Sequence, residues 1–126
     1  MKILIVDDAE IMLLLIQKFV GTLGHQTVLA TNGQLAVEVY KAERPDLVLM
    51  DMMMPVLDGY QAINTLRDEW QFTRPIIAVT ACAMKGDREK CLAAGADDYL
   101  PKPVNRNELI AIIHKWLDEA KTGSLP

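Results

Sequence analysis

The chain has 126 residues, which is enough for one domain with a hydrophobic core and too few for a second one. Hydrophobic residues make up 51% of it and charged residues 24%, and its net charge of −4 comes without any basic tract, which argues against direct binding of nucleic acid. The apolar runs are short and a strand-like segment follows Met1 directly, so we expect a cytoplasmic protein without a secretion signal or a membrane span.

Short apolar runs alternate with longer segments of helical period along the whole chain. The predicted strands cover residues 2–6, 26–30, 46–50, 75–80 and 98–100. The predicted helices cover residues 9–23, 34–43, 59–69, 84–94 and 107–119. This alternation predicts an α/β domain of the (βα)5 type, with a parallel sheet between two helical layers, over residues 1–120. Residues 121–126 are predicted to be a tail or the start of a linker.

Polar side chains gather at the predicted strand ends. Asp7 and Asp8 follow the first strand, Asp51 follows the third, Thr80 ends the fourth, and Lys102 comes just after the fifth. Ligands of open parallel sheets bind beyond the carboxyl ends of the strands, so we expect these residues to share one site. Clustered carboxylates repel one another unless a cation lies among them, and their oxygens suit Mg²⁺, which often shares its shell with a phosphate. The pattern predicts phosphoryl chemistry on an aspartate.

Each of these residues also has a purely structural interpretation. Asp7 and Asp8 could cap the first helix, and Asp51 could cap the turn that follows its strand. Thr80 alone could be an ordinary strand residue, and Lys102 a solvated surface lysine. Only their joint placement at the strand ends favours a functional site.

Several segments resemble the receiver domain of response regulators in two-component signalling: MKILIVDDAE, LVLMDMMMPVLDG, PIIAVTACA and DDYLPKPV. The resemblance covers nearly the whole chain, and the motif positions fall on the predicted strand ends in the family's order. It implies a doubly wound, flavodoxin-like sandwich whose five parallel strands lie in the order 2-1-3-4-5. It also implies a protein that takes a phosphoryl group from a histidine kinase or a histidine phosphotransfer protein and then controls a partner or an attached output domain.

The resemblance implies a role for each acidic position. Asp51 matches the phosphoacceptor, and Asp7 and Asp8 match the acidic pair that holds Mg²⁺ directly or through water. Asp51 and the backbone carbonyl of Met53 would be further metal ligands. Such a domain catalyses its own phosphorylation and dephosphorylation without being an enzyme in the usual sense.

The resemblance also covers the later strand ends. Thr80 and Lys102 match the residues that bind the phosphoryl oxygens, and Lys102–Pro103 matches the family's cis peptide bond. Tyr99 matches an aromatic residue that turns inward after phosphorylation, so that Thr80 and Tyr99 would form a conformational switch. The alternative for Tyr99 is a half-buried side chain without a switching role.

The first predicted helix is more apolar than one buried stripe requires. In the family this helix commonly docks on a kinase or phosphotransfer protein, so we predict that Ile11 or Leu14 lies in such an interface. The alternative is a helix buried all round under a neighbouring loop. The oligomeric state is expected to be a monomer or a phosphorylation-dependent dimer.

Two other functions compete with that of a phosphorylated receiver. One is a receiver-like module that binds proteins without being phosphorylated, although this chain retains all the acidic and lysine positions of the motif. The other is an aspartyl-phosphate hydrolase of the haloacid-dehalogenase type. That family needs a second aspartate two residues after the nucleophile, where this chain has Met53.

Overall fold

The computed structural model describes residues 1–52, 59–69, 71–81 and 85–123. The strands are β1 (Lys2–Val6), β2 (Gln26–Ala30), β3 (Leu47–Asp51), β4 (Ile76–Thr80) and β5 (Asp98–Pro101). The helices are α1 (Glu10–Gly21), α2 (Gly33–Glu43), α3 (Gly59–Asn64), α4 (Lys85–Ala94) and α5 (Arg106–Gly123). A π-helical segment, Thr65–Glu69, continues α3.

The five strands form one parallel sheet in the order β2-β1-β3-β4-β5. This is the flavodoxin-like order expected of the receiver fold, so the predicted fold class is confirmed. The strand order reverses direction between β1 and β3, which places the crevice of this fold at the carboxyl ends of those two strands.

Side chains on successive strand positions point to opposite faces of the sheet, and both faces are buried. On one face the core is formed with α2, α3 and the π-helical segment and includes Leu4, Val48, Met50, Ile63 and Leu66. On the other face the core is formed with α1 and α5 and includes Ile3, Ile5, Leu13, Leu49 and Ile113. β3 and β4 are buried along their full length, which explains why their sequences are nearly unbroken apolar runs.

A side chain caps the start of α5, whereas none caps the start of α1. The side chain of Asn105 accepts a hydrogen bond from the backbone N–H of Glu108 at 3.1 Å, as a cap of α5. The predicted cap of α1 by Asp7 or Asp8 is wrong, because the N-cap residue is Ala9 and it makes no side-chain cap. Instead, Oδ1 of Asp7 accepts from the N–H of Ala9 at 2.8 Å in the turn before the helix.

The last helix is longer than the sequence indicated. It continues to Gly123, past the predicted end at residue 119 and into the predicted tail. Residues 120 and 121 are alanine and lysine, both strong helix formers, so nothing local stops the helix there. The predicted start of the fourth helix, residue 84, lies outside the described residues. The division into a domain over residues 1–120 and a tail stays a prediction.

Candidate functional site

The register of β1 and β3 brings two aspartates together. Ile5 pairs with Leu49 and Val6 pairs with Met50, so the next step along both strands sets Asp7 beside Asp51. Both aspartates continue the series of positions that face the α1 and α5 layer, since Ile5 and Leu49 belong to that core. The two carboxylates therefore point to the same side of the sheet at its carboxyl edge.

Asp8 completes a group of three acidic side chains. One carboxylate oxygen from each of Asp7, Asp8 and Asp51 lies within 4.8 Å of the others. Asp7 and Asp51 are each only 1% exposed, whereas Asp8 is exposed. Two buried carboxylates this close repel each other strongly in a poorly solvated site, so the arrangement requires positive charge nearby.

Lys102 supplies part of that positive charge. Its Nζ atom lies 3.0 Å from Oδ2 of Asp7 and 3.4 Å from Oδ1 of Asp51. Partial burial lowers the pKa of Lys102, but hydrogen bonding and attraction to the two carboxylates outweigh burial, so the pKa lies above its ordinary value. Lys102 is therefore an ammonium ion that bridges the ends of β1 and β3.

The backbone holds Lys102 in place. Its N–H donates to the carbonyl oxygen of Thr80 at 2.8 Å, which ties the segment after β5 to the end of β4. The peptide bond between Lys102 and Pro103 is cis. The lysine thus reaches the acidic group from a segment anchored to the neighbouring strand.

The donor set fits a hard divalent cation. Mg²⁺ prefers oxygen ligands at about 2.1 Å, so two ligands on opposite sides of the ion lie about 4.2 Å apart. The three carboxylate oxygens span a comparable distance, and exposed Asp8 leaves one side open to water. Asp7, Asp8 and Asp51 could hold such an ion, directly or through water.

Thr80 and Tyr99 lie on the opposite face of the sheet from the acidic pair. Ala78 pairs with Tyr99, and Thr80 follows Ala78 by two residues, so alternation directs the Thr80 and Tyr99 side chains to one face. Thr80 is buried, and half-buried Tyr99 packs against the core formed with α2, α3 and the π-helical segment. The two candidate switch residues are therefore on adjacent strands of that face.

The predicted interface residues are on the surface of α1. Ile11 is 81% exposed and Leu14 is 55% exposed, and Leu15 beside them is partly exposed. Leu13, Ile16 and Val20 form the buried stripe of the same helix. The alternative of a helix buried all round is therefore wrong, because one stripe suffices to cover the sheet.

Gly59 belongs to the surroundings of the site, although the sequence suggested only a turn and helix start there. A Cβ atom at Gly59 would meet the carbonyl oxygen of Asp51 and would lie 2.6 Å from the Cα atom of Met52. The first residue of α3 therefore packs directly against the backbone of Asp51. Gly59 comes eight residues after Asp51 in the chain, and glycine is the residue that allows two backbones to approach so closely. Met53, the predicted carbonyl ligand, lies outside the described residues.

The sheet order, the acidic group and the bridging lysine together match one known family. The model of the response regulator receiver domain matches residues 3–114. The chain belongs to this family. Along the part of the receiver domain that the structure describes, no helix combines the length and the apolar character needed to cross a bilayer.

Solved receiver domains are similar to this one in sequence and in structure. The receiver domain of the sensor histidine kinase PA1611 from Pseudomonas aeruginosa PAO1, with a magnesium ion coordinated in its active site cleft, is 42% identical with a TM-score of 0.84. The match covers 93% of this chain and 97% of that one. A chain of the complex between the Saccharomyces cerevisiae phosphotransfer protein Ypd1 and the receiver domain of Ssk1 is 32% identical, with a TM-score of 0.88 and coverages of 94% and 90%.

Receiver domains also occur within much longer relatives. The sensor protein GacS from Pseudomonas syringae pv. syringae is 38% identical over 130 residues, which covers 99% of this chain. The chain spans 14% of the length of GacS, so the similarity concerns the receiver domain alone.

Proposed function

We propose that this receiver domain accepts a phosphoryl group on Asp51 in a Mg²⁺-dependent reaction. The observation that carries the proposal is the buried pair of Asp7 and Asp51 at one sheet edge, with Lys102 bridging them and Asp8 within reach. Placing acidic side chains so close together is costly for folding, and it is useful where a cation and a phosphoryl group are to be bound.

In the proposed reaction, a carboxylate oxygen of Asp51 attacks the phosphorus atom of a phosphohistidine. The new O–P bond forms as the P–N bond breaks, and the P–N electron pair leaves with the imidazole, which departs neutral because its other ring nitrogen carries a proton. Bound Mg²⁺ would neutralise charge on the phosphoryl oxygens and on the acidic group. Asp7 and Asp8 hold the ion, and the carbonyl of Met53 is the further ligand implied by the family.

Lys102 has the second role in this site. Its ammonium group lies against both carboxylates, so it screens the approach of a negatively charged phosphoryl group to Asp51. Thr80 is proposed to donate its hydroxyl proton to a phosphoryl oxygen. Transfer from a reactive donor then requires mainly alignment and charge compensation.

Phosphorylation is proposed to act on the rest of the domain through Thr80 and Tyr99. Both side chains belong to the same face of adjacent strands, so movement of Thr80 toward the phosphoryl group frees space beside Tyr99. The half-buried tyrosine ring then turns inward. A binding partner or an attached output domain senses the changed surface of β5 and α5.

The exposed apolar residues of α1 are the proposed docking site for the phosphodonor protein. Ile11 and Leu14 lie at the start of the helix, close in sequence to Asp7 and Asp8 at the end of β1. The solved complex of the phosphotransfer protein Ypd1 with the similar receiver domain of Ssk1 supports a histidine phosphotransfer protein or a histidine kinase as the class of partner. Apolar side chains exposed to this degree typically mark an interaction surface.

Intact mass tests the phosphoacceptor proposal directly. The protein is incubated with acetyl phosphate, with and without Mg²⁺, next to an Asp51→Asn control. We expect one Mg²⁺-dependent phosphoryl adduct in the wild type and none in the control. A folded protein that gains no adduct would instead be a receiver-like module that binds proteins without phosphorylation. Steady turnover of a small phosphate ester would support the hydrolase alternative.

A matched pair of variants tests the docking surface. Leu14→Glu places a charge on the exposed side of α1, and Leu35→Glu places one at a 39% exposed leucine of α2, on the other side of the sheet. We expect Leu14→Glu to slow phosphoryl transfer from the cognate protein at least tenfold and to leave labelling by acetyl phosphate unchanged. Leu35→Glu should affect neither rate. Equal transfer rates in both variants would exclude the α1 surface.

A further inference from the structure

A pocket of about 230 Å³ lies at the opposite end of the sheet from the acidic site. It is close to the segments that precede β3 and β4, and its lining includes Tyr40, Arg44, Asp46, Gln71, Phe72 and Arg74. The proposed phosphoacceptor reaction uses none of them. The side chains that form the pocket combine an aromatic floor with two guanidinium groups.

Two buried aromatic rings form the floor of this amino-edge pocket. The rings of Tyr40 and Phe72 pack edge to face with their centroids 5.1 Å apart, and both side chains are buried. From below, the guanidinium of Arg67 donates to the carbonyl oxygens of Phe72 at 2.6 Å and of Arg74 at 2.9 Å. These bonds tie the segment that carries Arg74 to the π-helical segment.

The positive charge of the pocket is only partly compensated. Oδ1 of Asp46 accepts from Arg74 at 3.1 Å, and Oδ2 accepts from the backbone N–H of Lys2 at 2.8 Å, so both oxygens of this carboxylate are engaged. Arg44 lies over the ring of Tyr40 and donates to its hydroxyl at 3.1 Å. Within the described part of the chain, no carboxylate forms an ion pair with Arg44.

The backbone at the pocket provides a second, independent observation. Arg44 and Gln71 have φ angles of 49° and 52°, and they are the non-glycine residues with positive φ in the described segments. Glycine would occupy these left-handed positions without steric cost. Both long polar side chains line the same pocket, which gives a reason for their presence where glycine would be favoured.

We propose that this amino-edge pocket binds a small oxyanion, a phosphate or a carboxylate, between Arg44 and Arg74. A guanidinium offers five N–H donors in a planar fork that matches such anions, and each of these two arginines uses only some of its donors within the protein. Two arginines against the one carboxylate of Asp46 leave the lining with a net positive charge in a protein whose net charge is −4, which favours an anion there.

The test is a titration of the ¹⁵N-labelled protein followed by amide chemical shifts. Inorganic phosphate and succinate are added separately at constant ionic strength, without Mg²⁺. We expect saturable shifts at Arg44 and at residues 71–74, with a dissociation constant of about 1 mM or lower for the preferred anion. The tighter of the two ligands identifies the class of oxyanion. Shifts confined to Thr80 and Lys102 would overturn the proposal, because they would report the acidic site instead.

Two charge-matched variants complete the test. Arg44→Gln removes a guanidinium from the pocket, and Lys41→Gln removes one positive charge from an exposed position of α2 that does not line it. The dissociation constant should rise at least tenfold in Arg44→Gln and change less than twofold in Lys41→Gln. Arg44→Gly, which also relieves the left-handed backbone, should lose binding while remaining folded. Unchanged affinity in both Arg44 variants would refute the site.

Discussion

Nζ of Lys102 lies 3.0 Å from Oδ2 of Asp7, and this contact joins the segment after β5 to the end of β1. The same nitrogen lies 3.4 Å from Oδ1 of Asp51. One ammonium ion thus compensates two carboxylates that are almost completely buried. We therefore expect the stability of the domain and the proposed chemistry at Asp51 to depend on the same side chain.

The first prediction concerns removal of this ammonium group. Lys102→Ala leaves two buried carboxylates facing each other, so we expect it to lower the free energy of unfolding by about 1–3 kcal/mol without Mg²⁺. Mg²⁺ should restore part of the loss, because a cation bound among the carboxylates replaces the missing charge. Urea denaturation with and without Mg²⁺ measures both effects. In a protein that also carries Asp51→Asn, Lys102→Ala should lower the free energy of unfolding by less. An equal loss would show that Lys102 does not compensate the charge of Asp51.

A second prediction follows from the contact between α3 and β3. Gly59→Ala introduces a Cβ atom against the backbone of Asp51 and Met52, so α3 must move away. We expect a destabilisation of about 2–3 kcal/mol and slower labelling of Asp51 by acetyl phosphate. Gly86→Ala in α4 is the matched control, because a Cβ atom there meets nothing within 4 Å. It should be neutral or stabilising by up to about 1 kcal/mol. Similar effects of the two substitutions would argue against the close approach.

The third prediction is a pH dependence that originates at Asp46. Burial raises the pKa of this carboxyl, but hydrogen bonds from the N–H of Lys2 and from Arg74 outweigh burial, and the pKa lies below the ordinary 3.8. A carboxyl with a lowered pKa stabilises the fold above pH 3.8, and this contribution disappears as the pH falls through the folded-state pKa.

Comparison with Asp46→Asn isolates that contribution. We expect wild type to be more stable by about 1 kcal/mol at pH 7, and the difference to shrink as the pH falls below about 3.8. Denaturation at several pH values measures this difference in stability, with Asp68→Asn at an exposed position as the matched control. A difference that grows toward low pH would contradict the assigned sign.

The fourth prediction concerns a network at the amino ends of β4 and β5. Arg67 donates to the carbonyl of Gly95 at 3.0 Å and to Oδ2 of Asp97 at 2.7 Å, in addition to its bonds to the loop before β4. The same Asp97 oxygen accepts from the backbone N–H of Ile76 at 2.9 Å. One guanidinium therefore connects the π-helical segment to both strands.

Replacing Arg67 should be far more costly than replacing an exposed arginine. We expect Arg67→Ala to lower the free energy of unfolding by about 2–4 kcal/mol, because several carbonyls and a carboxylate lose their donor at once. Arg67→Lys should recover only part of this, since lysine cannot reproduce the planar fork. Arg106→Ala, at an exposed position, should change stability by less than about 0.5 kcal/mol. Thermal or urea unfolding distinguishes these outcomes.

Much of the architecture was predictable because it is encoded locally. Both faces of a central parallel strand are buried, so β3 and β4 appear as continuous apolar runs, and turn residues mark where they stop. The predicted and observed strands agree to within a residue at each end. The exposed apolar side of α1 could also be predicted from the sequence, because that helix carries more apolar residues than one stripe can bury.

The hydrogen bonds and backbone conformations of individual polar residues were less predictable. From the sequence, Asp97 is expected to be an ordinary surface charge. In the structure its carboxylate accepts hydrogen bonds from the side chain of Arg67 and from the backbone N–H of Ile76. From the sequence, Arg44 is expected only to connect a helix to a strand. In the structure its backbone is left-handed and its guanidinium lies over the ring of Tyr40. In each case the partner lies on a different element or depends on a backbone angle that no periodicity encodes.

The fold class, the strand positions and the edge of the sheet at which the acidic residues gather can all be predicted from the amino-acid sequence. These properties follow from local periodicity and from the rule that parallel strands share one carboxyl edge. The pairing of Asp7 with Asp51, the bridging distances of Lys102 and the packing of Gly59 against β3 are seen in the folded domain alone. Distances between side chains depend on strand register and on the packing of elements far apart in the chain, and those are properties of the whole fold.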